Sequence, residues 1–427
     1  MTADRIIEVT IEALGGLGDG LSSQGDAKLV VPYVLPGEVV AAQITGSRRG
    51  MQQARLKSVI EASSHRIEPA CRYFGKCGGC SLQHADREFY RQWKRSRLVT
   101  ALARRGFRDV EILALHDGAP GRRRRTEMLA SMTGRGDLRF GFRRRASHEV
   151  IDIRACPLLK PVLVDAADRL RPMLAGWLAP REALSVAMTA TESGVDMLLT
   201  LPRVPDLTGR EALAGMAESI DLARLAIVLP GESAAEMVAV RRPPEIDFSG
   251  IHVVPPPGAF LQADAAAEAT MVSAMAPLLA DKARILDLYC GCGTFSLASA
   301  QTTKVHAVDG AADQIAALDA AARHARLDRL TTAVRDLERR PFQAAELTGF
   351  DAVIIDPPRA GAAAQSAALA QSDVQTVIAV SCNPATFARD ARTLVDGGFA
   401  LRWALPIDQF LWSTHLEVLA HFERPAP

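Results

Sequence analysis

Short apolar runs rich in β-branched residues recur through residues 251–427, each followed within a few residues by glycine, proline or an acidic residue. Such runs predict the buried strands of an α/β sheet. The predicted strands are residues 283–288, 304–308, 331–334, 353–355 and 376–380. Because α/β sheets bind ligands beyond the carboxyl ends of their strands, the residues after these runs are candidates for a functional site.

A glycine-rich turn, residues 287–295, follows the first of these strands. Its two glycines let a ligand approach the backbone at a helix start, but Ser296 replaces the third glycine of the dinucleotide fingerprint. Asp309 ends the second strand, where a carboxylate suits two ribose hydroxyls, and Asp336 follows the third, where it can reach an adenine edge. This order favours S-adenosylmethionine over NAD as the ligand.

Cys382 stands directly after the strand predicted at residues 376–380, and Pro384 stops that strand from extending. A lone cysteine at a strand end is most often a small buried thiol. Here, however, the preceding strand ends in Asp356-Pro357-Pro358-Arg359, and Glu417 begins the last apolar run. A thiol and a carboxylate in one crevice can act as nucleophile and base.

The seven cysteines are an odd number, which argues against a disulfide framework. Four of them suit a structural zinc ion or a [4Fe–4S] cluster: Cys71, Cys77, Cys80 and Cys156. Two of them, Cys77 and Cys80, lie close together in the chain, whereas the other two are isolated, and the last precedes a proline. This spacing favours an iron–sulfur cluster slightly over a zinc ion. Four unrelated buried thiols are the third choice. Cys290 and Cys292 are interpreted as small turn residues, and Phe295 and Phe410 as core.

The first part of the chain is basic. Residues 1–160 hold 28 Lys and Arg against 17 Asp and Glu, whereas the remainder holds 22 against 32. Short β-rich runs with glycine turns predict a small barrel over residues 1–60, with Arg48 and Arg49 in a loop. A polyanionic partner such as nucleic acid fits this charge distribution, although an arginine-rich solvated surface would look the same.

The segment between Cys80 and Cys156 has the highest density of lysine and arginine residues. A helix is predicted at residues 86–104, where Tyr90 and Trp93 offer faces for base stacking or simply pack the helix. Arginines 122–125 lead into a strand at residues 126–132, whose predicted hairpin partner is residues 138–143. These clusters can neutralise phosphates, with the cysteine site acting as a staple that holds basic loops in place.

Composition excludes other classes. The chain is 48% hydrophobic and 23% charged, as in globular proteins, and no apolar run reaches the length of a membrane span. The first residues lack the apolar core of a signal peptide. We therefore expect a cytoplasmic protein with no membrane partner.

Three motifs together resemble the RNA (uracil-5-)-methyltransferase family: Ser381-Cys382-Asn383-Pro384, Asp356-Pro357-Pro358-Arg359 and His415-Leu416-Glu417. The four-cysteine pattern and the start, which resembles a TRAM domain, are similar to the iron–sulfur branch that acts on 23S rRNA. The resemblance covers essentially the whole chain. It implies an α/β fold with a TRAM/OB-like barrel at 1–60, a β-rich central domain with an iron–sulfur site at 61–250, and a Rossmann-like class I methyltransferase domain at 251–427.

The resemblance also implies roles for individual residues. Cys382 would be the nucleophile and Glu417 the general base. The S-adenosylmethionine pocket would be lined by Gln262, Tyr289, Thr294, Asp309, Asp336 and Asp356. A [4Fe–4S] cluster would be held by Cys71, Cys77, Cys80 and Cys156.

The sequence departs from the family pattern at three positions. Asp309 stands in place of the usual glutamate, Asp264 in place of asparagine, and His324 in place of an asparagine. The first is one methylene shorter and could weaken cofactor affinity. None of the three is the nucleophile or the base.

The expected reaction is transfer of a methyl group to C5 of a flipped-out 23S rRNA uridine through a Cys382–C6 adduct. Cys382 should then have a lowered pKa, and the protein should act as a monomer. The same chemistry on tRNA, or a non-catalytic RNA-binding scaffold, are the alternatives.

Overall fold

The computed structural model describes residues 6–24 and 27–425. The predicted domains also include residues 1–5, 25–26 and 426–427, which lie outside the described residues. None of the helices in the described part combines the length and apolar character that a membrane crossing requires.

The N-terminal part is a six-stranded sheet in the order β1-β5-β6-β4-β3-β2. Because β1 and β3 lie far apart in this order yet contact each other, the sheet curls toward closure. Val9, Leu29 and Val40 are buried inside it. Its strands are β1 (Ile6–Thr10), β2 (Ala13–Leu14), β3 (Gly20–Gln24), β4 (Ala27–Val31), β5 (Val39–Arg48) and β6 (Met51–Glu61).

A helix and a short strand follow the first three cysteines: α1 (Arg87–Ala103) and β7 (Glu111–Ile112). Asp86 caps α1 by accepting a hydrogen bond from the backbone N–H of Phe89 at 2.8 Å. Tyr90 and Trp93 are buried on this helix, so the packing interpretation of these two aromatics is confirmed and the stacking one is wrong.

The central sheet has seven strands in the order β10-β9-β8-β11-β12-β13-β14. The predicted hairpin is confirmed as the antiparallel pair β8–β9. Two helices pack on this sheet through a core that includes Leu170, Val186 and Leu213. The elements are β8 (Arg125–Met132), β9 (Leu138–Arg143), β10 (Val150–Asp152), α2 (Pro161–Trp177), β11 (Ala183–Thr191), β12 (Gly194–Thr200), α3 (Leu207–Ile220), β13 (Arg224–Val228) and β14 (Ala235–Val240).

The C-terminal part contains a hairpin and the predicted α/β sheet. All five strands predicted from the apolar runs are present, with ends that differ by one residue at most. The elements are β15 (Ile246–Phe248), β16 (Ile251–Val253), α4 (Ala265–Leu279), β17 (Arg284–Leu288), α5 (Ser296–Ala300), β18 (Lys304–Asp309), α6 (Ala312–His324), β19 (Leu330–Val334), β20 (Ala352–Ile355), α7 (Ala363–Ala370), β21 (Thr376–Ser381), α8 (Pro384–Asp396), β22 (Ala400–Ile407) and β23 (Glu417–Glu423).

The strand order of this sheet is β19-β18-β17-β20-β21-β23-β22-β7. Pairing is parallel from β19 to β21, and β23 is antiparallel to both neighbours. Both faces are covered, as β20 shows: Val353 packs into one core and Ile354 into the opposite one. This burial explains why the strands read as continuous apolar runs.

Contacts cross the predicted boundary at residue 250. Strand β7 pairs with β22 at the edge of the C-terminal sheet, and Leu98 and Leu102 of α1 lie in its core. The segment between the cysteines thus reaches the C-terminal sheet. The three-part division of the chain stays a prediction.

Candidate active site

Cys382 lies at the junction between β21 and α8. Asn383 caps α8 by accepting from the backbone N–H of Ala385 at 3.1 Å, and its side-chain amide donates to the carbonyl of Arg359 at 3.2 Å. Pro384 occupies the first turn of the helix, where its missing N–H costs nothing. The half-buried thiol is therefore held by a strand end, a helix cap and the segment that follows β20.

Glu417 begins β23, the antiparallel neighbour of β21. Ser381 pairs with Val418 in the register of these strands. Cys382, which follows Ser381, and Glu417, which precedes Val418, therefore lie at the same end of the two strands. Glu417 is 3% exposed, and its charge raises the pKa of Cys382. The structure therefore brings the predicted nucleophile and base together.

Two amide side chains connect Glu417 to the predicted cofactor residues. Gln409 donates from Nε2 to Glu417 Oε2 at 2.6 Å and to Gln262 Oε1 at 2.8 Å. Gln262 in turn donates to Asp356 Oδ2 at 3.0 Å. Burial and the Asp356 charge raise the pKa of Glu417, and burial with the Asp309 charge raises that of Asp356. The two carboxylates therefore destabilise each other's charge.

The glycine turn approaches Asp309 at the end of β18. Asp309 accepts from the backbone N–H groups of Gly291 at 2.9 Å and Ala311 at 2.8 Å. Gly293 has φ +94°, and a Cβ there would lie 2.3 Å from a methyl of Leu318, so only glycine fits. Thr294 follows on the same turn.

Tyr289 also lies at this end of the sheet. Burial and the charges of Glu338, Asp390, Asp309 and Asp336 raise its pKa to about 12. Asp336 itself is exposed and accepts from backbone N–H groups just after it along the chain. The six predicted cofactor residues are thus brought to one end of the sheet.

Sequence reasoning missed two residues here. Gln409, on the loop before Glu417, leaves no sequence pattern because it connects Glu417 to Gln262, which lies 147 residues away in the chain. Asp287 was seen only as part of the turn. It is fully buried, which raises its pKa to about 7, and it accepts a hydrogen bond from Ser296.

A cavity of about 650 Å³ adjoins Cys382. Its lining includes Arg359, Phe410, Ser413 and His415 together with the four predicted metal ligands. Phe410 is half-buried and faces this space, so its assignment to the core is wrong. Burial and the neighbouring charges of Arg359, Lys94, Arg97 and Arg123 lower the pKa of His415 to about 4, which leaves its imidazole neutral near pH 7.

Cys71, Cys77, Cys80 and Cys156 are free thiols that converge on the cavity. Burial is the main cause that raises the pKa values of Cys77, Cys80 and Cys156, and the charges of neighbouring thiolates in this set raise them further. The backbone N–H of Gly79 points at Cys77 Sγ at 3.4 Å. Thiolate donors with amides aimed at sulfur fit an iron–sulfur cluster chemically. Across residues 6–24 and 27–425, however, no group of three or more His, Cys, Asp or Glu is arranged to hold a metal ion.

The predicted lowered pKa of Cys382 is wrong for this structure. Burial is the largest cause and the charges of Glu417 and Asp356 add to it, which together raise the pKa of Cys382 to about 11. The Arg359 guanidinium acts in the opposite direction but does not compensate. The sequence predicted Asp356 and Glu417 in the same crevice as the thiol, but only the structure shows that burial and these two charges outweigh the charge of Arg359.

Comparisons with known proteins agree with this geometry. The family model described as tRNA (Uracil-5-)-methyltransferase matches residues 250–424. A protein of Mesorhizobium japonicum named "Uncharacterized RNA methyltransferase" is 43% identical over 97% of this chain and 98% of its own length. A protein of Chromohalobacter salexigens named as a 23S rRNA (uracil(1939)-C(5))-methyltransferase is 34% identical over 100% of this chain and 90% of its own.

The crystal structure of the Pyrococcus abyssi tRNA (uracil-54, C5)-methyltransferase in complex with S-adenosyl-L-homocysteine is similar in fold. The TM-score is 0.76, with 21% identity, over 97% of this chain and 100% of that chain. That similarity extends over the curled N-terminal sheet, the central sheet and the C-terminal sheet. With its α/β methyltransferase fold and its full-length relatives, the chain belongs to the RNA (uracil-5-)-methyltransferase family.

Proposed function

We propose that this enzyme transfers a methyl group from S-adenosylmethionine to C5 of a uridine in 23S rRNA through a covalent adduct on Cys382. The observation that carries the proposal is the placement of Cys382 and Glu417 on adjoining strand ends, with Cys382 in the lining of the cavity. An RNA-binding scaffold without activity would have no need for a buried base next to a thiol.

The chemistry explains why both groups are needed. C5 of uracil is a weak nucleophile until the Cys382 thiolate adds to C6, which places electron density on C5. C5 then displaces the methyl group from the sulfonium, and S-adenosylhomocysteine leaves. Glu417 accepts the proton from C5, the C5–C6 double bond re-forms and the thiolate is expelled. The target base must leave its stack so that its face can be attacked.

The cofactor pocket proposed for S-adenosylmethionine is the end of the sheet that carries Tyr289, Asp309 and Asp336. Asp309 would serve the ribose, and the amide network through Gln262 and Asp356 would connect the pocket to the base. Thr294 completes the set on the glycine turn. A charge-neutral nucleoside suits a site with several carboxylates better than a pyrophosphate does.

RNA contacts are proposed at the mouth of the cavity. Arg97 is stacked on Trp93 with a buried Nη1 that has no hydrogen-bond partner among the described residues. The charge of Arg359 lies near enough to add to burial in lowering the pKa of Arg97. Neither guanidinium has a carboxylate partner in the described part of the chain, and the charge of Arg359 acts on Cys382. Such a pair suits the phosphates that flank a flipped uridine. The curled N-terminal sheet would act as a TRAM-like module on the same RNA.

Although the described residues contain no group arranged to hold a metal ion, we also propose that Cys71, Cys77, Cys80 and Cys156 hold a [4Fe–4S] cluster, because all four thiols line one cavity and an amide donates to Cys77 Sγ. Such a cluster would supply covalent cross-links between loops and no redox step. After anaerobic purification, we expect about four iron atoms and an equal amount of sulfide per chain. Stoichiometric zinc without sulfide would assign the site to the alternative metal.

The choice of 23S rRNA rests on the relative that is 34% identical along the whole chain. The alternative substrate is tRNA, which the fold similarity to the Pyrococcus abyssi enzyme keeps open. We propose that the protein acts in the cytoplasm. We also propose that it acts as a monomer, because the thiol, the base and the cavity all come from one chain.

The test is methyl transfer from labelled S-adenosylmethionine to 23S rRNA and to tRNA, both lacking 5-methyluridine. We expect label on C5 of a 23S uridine with the wild type. With Cys382→Ala the transfer should fall by at least about 10³-fold, while S-adenosylmethionine still binds. Label on tRNA alone would replace the substrate. Transfer by the variant at the wild-type rate would overturn the adduct mechanism.

A further inference from the structure

The loop of residues 408–416, here called the catalytic loop, connects β22 to β23. It brings Phe410, Ser413 and His415 to the wall of the cavity and ends at Glu417. Because the loop contains no helix or strand, ladder hydrogen bonds do not determine its shape. Its shape depends on a few hydrogen bonds within the loop, which join Phe410, Ser413 and His415, and on contacts from other segments.

Lys94 of α1 supplies the most buried of these contacts. Its side chain has no exposed surface, and its Nζ donates to Asp408 Oδ1 at 2.8 Å and to the carbonyl of Phe410 at 3.4 Å. A third hydrogen bond goes to the carbonyl of His415. An ammonium has three protons, so all three are used on this one loop. The two carbonyls lie near opposite ends of the loop, which Lys94 therefore holds together.

Tyr90 lies four residues before Lys94 and so on the same face of α1. Its hydroxyl donates to Asp408 Oδ2 at 2.6 Å and accepts from the backbone N–H of Trp412 at 2.7 Å. The cysteine segment adds to the set, because the N–H groups of Ser81 and Leu82 donate to the carbonyl of Trp412 at 2.8 and 3.1 Å. The middle of the catalytic loop is thereby held from two directions.

Packing alone does not require these polar groups. Leu98 and Leu102 already attach α1 to the C-terminal core, and a buried ion pair contributes little to stability compared with apolar side chains of similar size. A buried polar network whose partners are all satisfied instead selects one geometry. Gln409, which bonds to Glu417 and Gln262, lies on the loop directly after Asp408 and would move with it.

We propose that Lys94 and Tyr90 are positioning residues that hold the catalytic loop, so that Phe410 and His415 face the target uridine and Glu417 stays beside Cys382. This inference rests on the proposed function. Neither residue touches the reacting atoms. Helix α1 also begins shortly after Cys80. A change in the conformation of the segment that contains the first three cysteines would therefore alter the position of Glu417 through the same contacts.

The decisive comparison is between Lys94→Met and the double variant Lys94→Met/Asp408→Asn. The single variant leaves a buried carboxylate without its cation, so both melting temperature and turnover should fall. The double variant removes that unpaired charge, so the melting temperature should recover by more than half. We expect kcat to stay at least tenfold below wild type in the double variant, with the affinity for S-adenosylmethionine within twofold. Recovery of kcat together with the melting temperature would overturn the proposal.

A milder pair of variants tests the same point if Lys94→Met does not fold. Tyr90→Phe removes a hydroxyl that bonds to the catalytic loop, whereas Tyr33→Phe removes a buried hydroxyl whose neighbour is the guanidinium of Arg145, outside that loop. We expect Tyr90→Phe to lower kcat several-fold and to reduce the covalent RNA adduct formed in a single turnover. Tyr33→Phe should match the wild type. Equal kcat and adduct yield in both variants would contradict the positioning role.

These outcomes differ from failure of the proposed function. If the wild type methylates no RNA while binding S-adenosylmethionine, the substrate assignment fails before any variant is compared. If the wild type is active and the double variant has wild-type kcat, only the positioning role fails.

Discussion

Buried charges are arranged in opposite ways in the central sheet and at the carboxyl end of the C-terminal sheet. In the central sheet, Arg224 on β13 bonds to both oxygens of Asp196 on the neighbouring β12, at 2.8 and 2.7 Å. Arg124, directly before β8, donates to one oxygen of the buried Glu268 on α4. At the end of the C-terminal sheet, Glu417 and Asp356 are held by glutamine amides, and no cation in the described residues pairs with either.

The difference separates the needs of folding from those of catalysis. A carboxylate that bonds to an arginine on the neighbouring strand has a partner of opposite charge, and the pair helps to fix the strand register. A buried carboxylate next to other carboxylates has a raised pKa and can exchange a proton near neutral pH. The carboxylate cluster, formed by Glu417 and Asp356, therefore lowers the free energy of unfolding, and a function explains why it is present.

The largest expected effect comes from neutralising the carboxylate cluster. Glu417→Gln keeps the shape and removes the base, so turnover should fall by about 10²–10⁴-fold. The Cys382–RNA adduct should accumulate because its C5 proton is not removed, and it should appear as a shifted band on a denaturing gel. Stability should not fall, since a repelling charge is lost.

The matched control is Glu423→Gln at the other end of the same strand. Glu423 makes an exposed pair with Arg402, so turnover should be unchanged. Free methylated product from Glu417→Gln at the wild-type rate would assign the base to another group and remove the contrast between the two regions.

The second-largest expected effect is a loss of stability in the central sheet. Arg224→Met leaves Asp196 buried without its partner, which should cost about 3–5 kcal/mol in the free energy of unfolding. Denaturant titration measures this value. Arg241→Met breaks the more exposed pair with Asp221 and should cost under about 1 kcal/mol. Equal losses in the two variants would show that burial of the pair does not matter.

The smallest effect concerns the thiol. With a pKa raised to about 11, Cys382 is mostly protonated at pH 8, so its alkylation by iodoacetamide should accelerate up to about pH 11. Glu417→Gln removes a charge that raises this pKa and should speed alkylation at pH 9 by about threefold to tenfold. Peptide mass spectrometry distinguishes Cys382 from the buried Cys290. A wild-type rate that is already maximal at pH 7 would mean that the thiolate forms without help.

Much of the fold could be predicted from local patterns in the sequence. The strands of the C-terminal sheet were predictable because they are buried on both faces and therefore read as uninterrupted apolar runs. Cys382, Asp309 and Asp356 were predictable as candidates because they follow such runs, where parallel strands end together. The glycine turn was readable because the backbone at Gly293 admits no other residue.

Other features depend on contacts between distant segments. Gln409 meets Gln262, which lies 147 residues away in the chain, and Lys94 meets Asp408, which lies 314 residues away. Neither pair leaves a periodic signal. The interpretation of Phe410 as core was wrong for the same reason, since an apolar residue on a loop looks alike whether it faces a core or a cavity.

The sequence by itself determined the strands, the helix caps and the residue types at the strand ends, because each depends on neighbours a few residues away. Only the tertiary structure decided the protonation of Cys382, the bridge from Gln409 to Glu417 and the attachment of α1 to the catalytic loop. The reason is physical: burial and charge are sums over all neighbours in space, and the neighbours that matter here come from segments far apart in the chain.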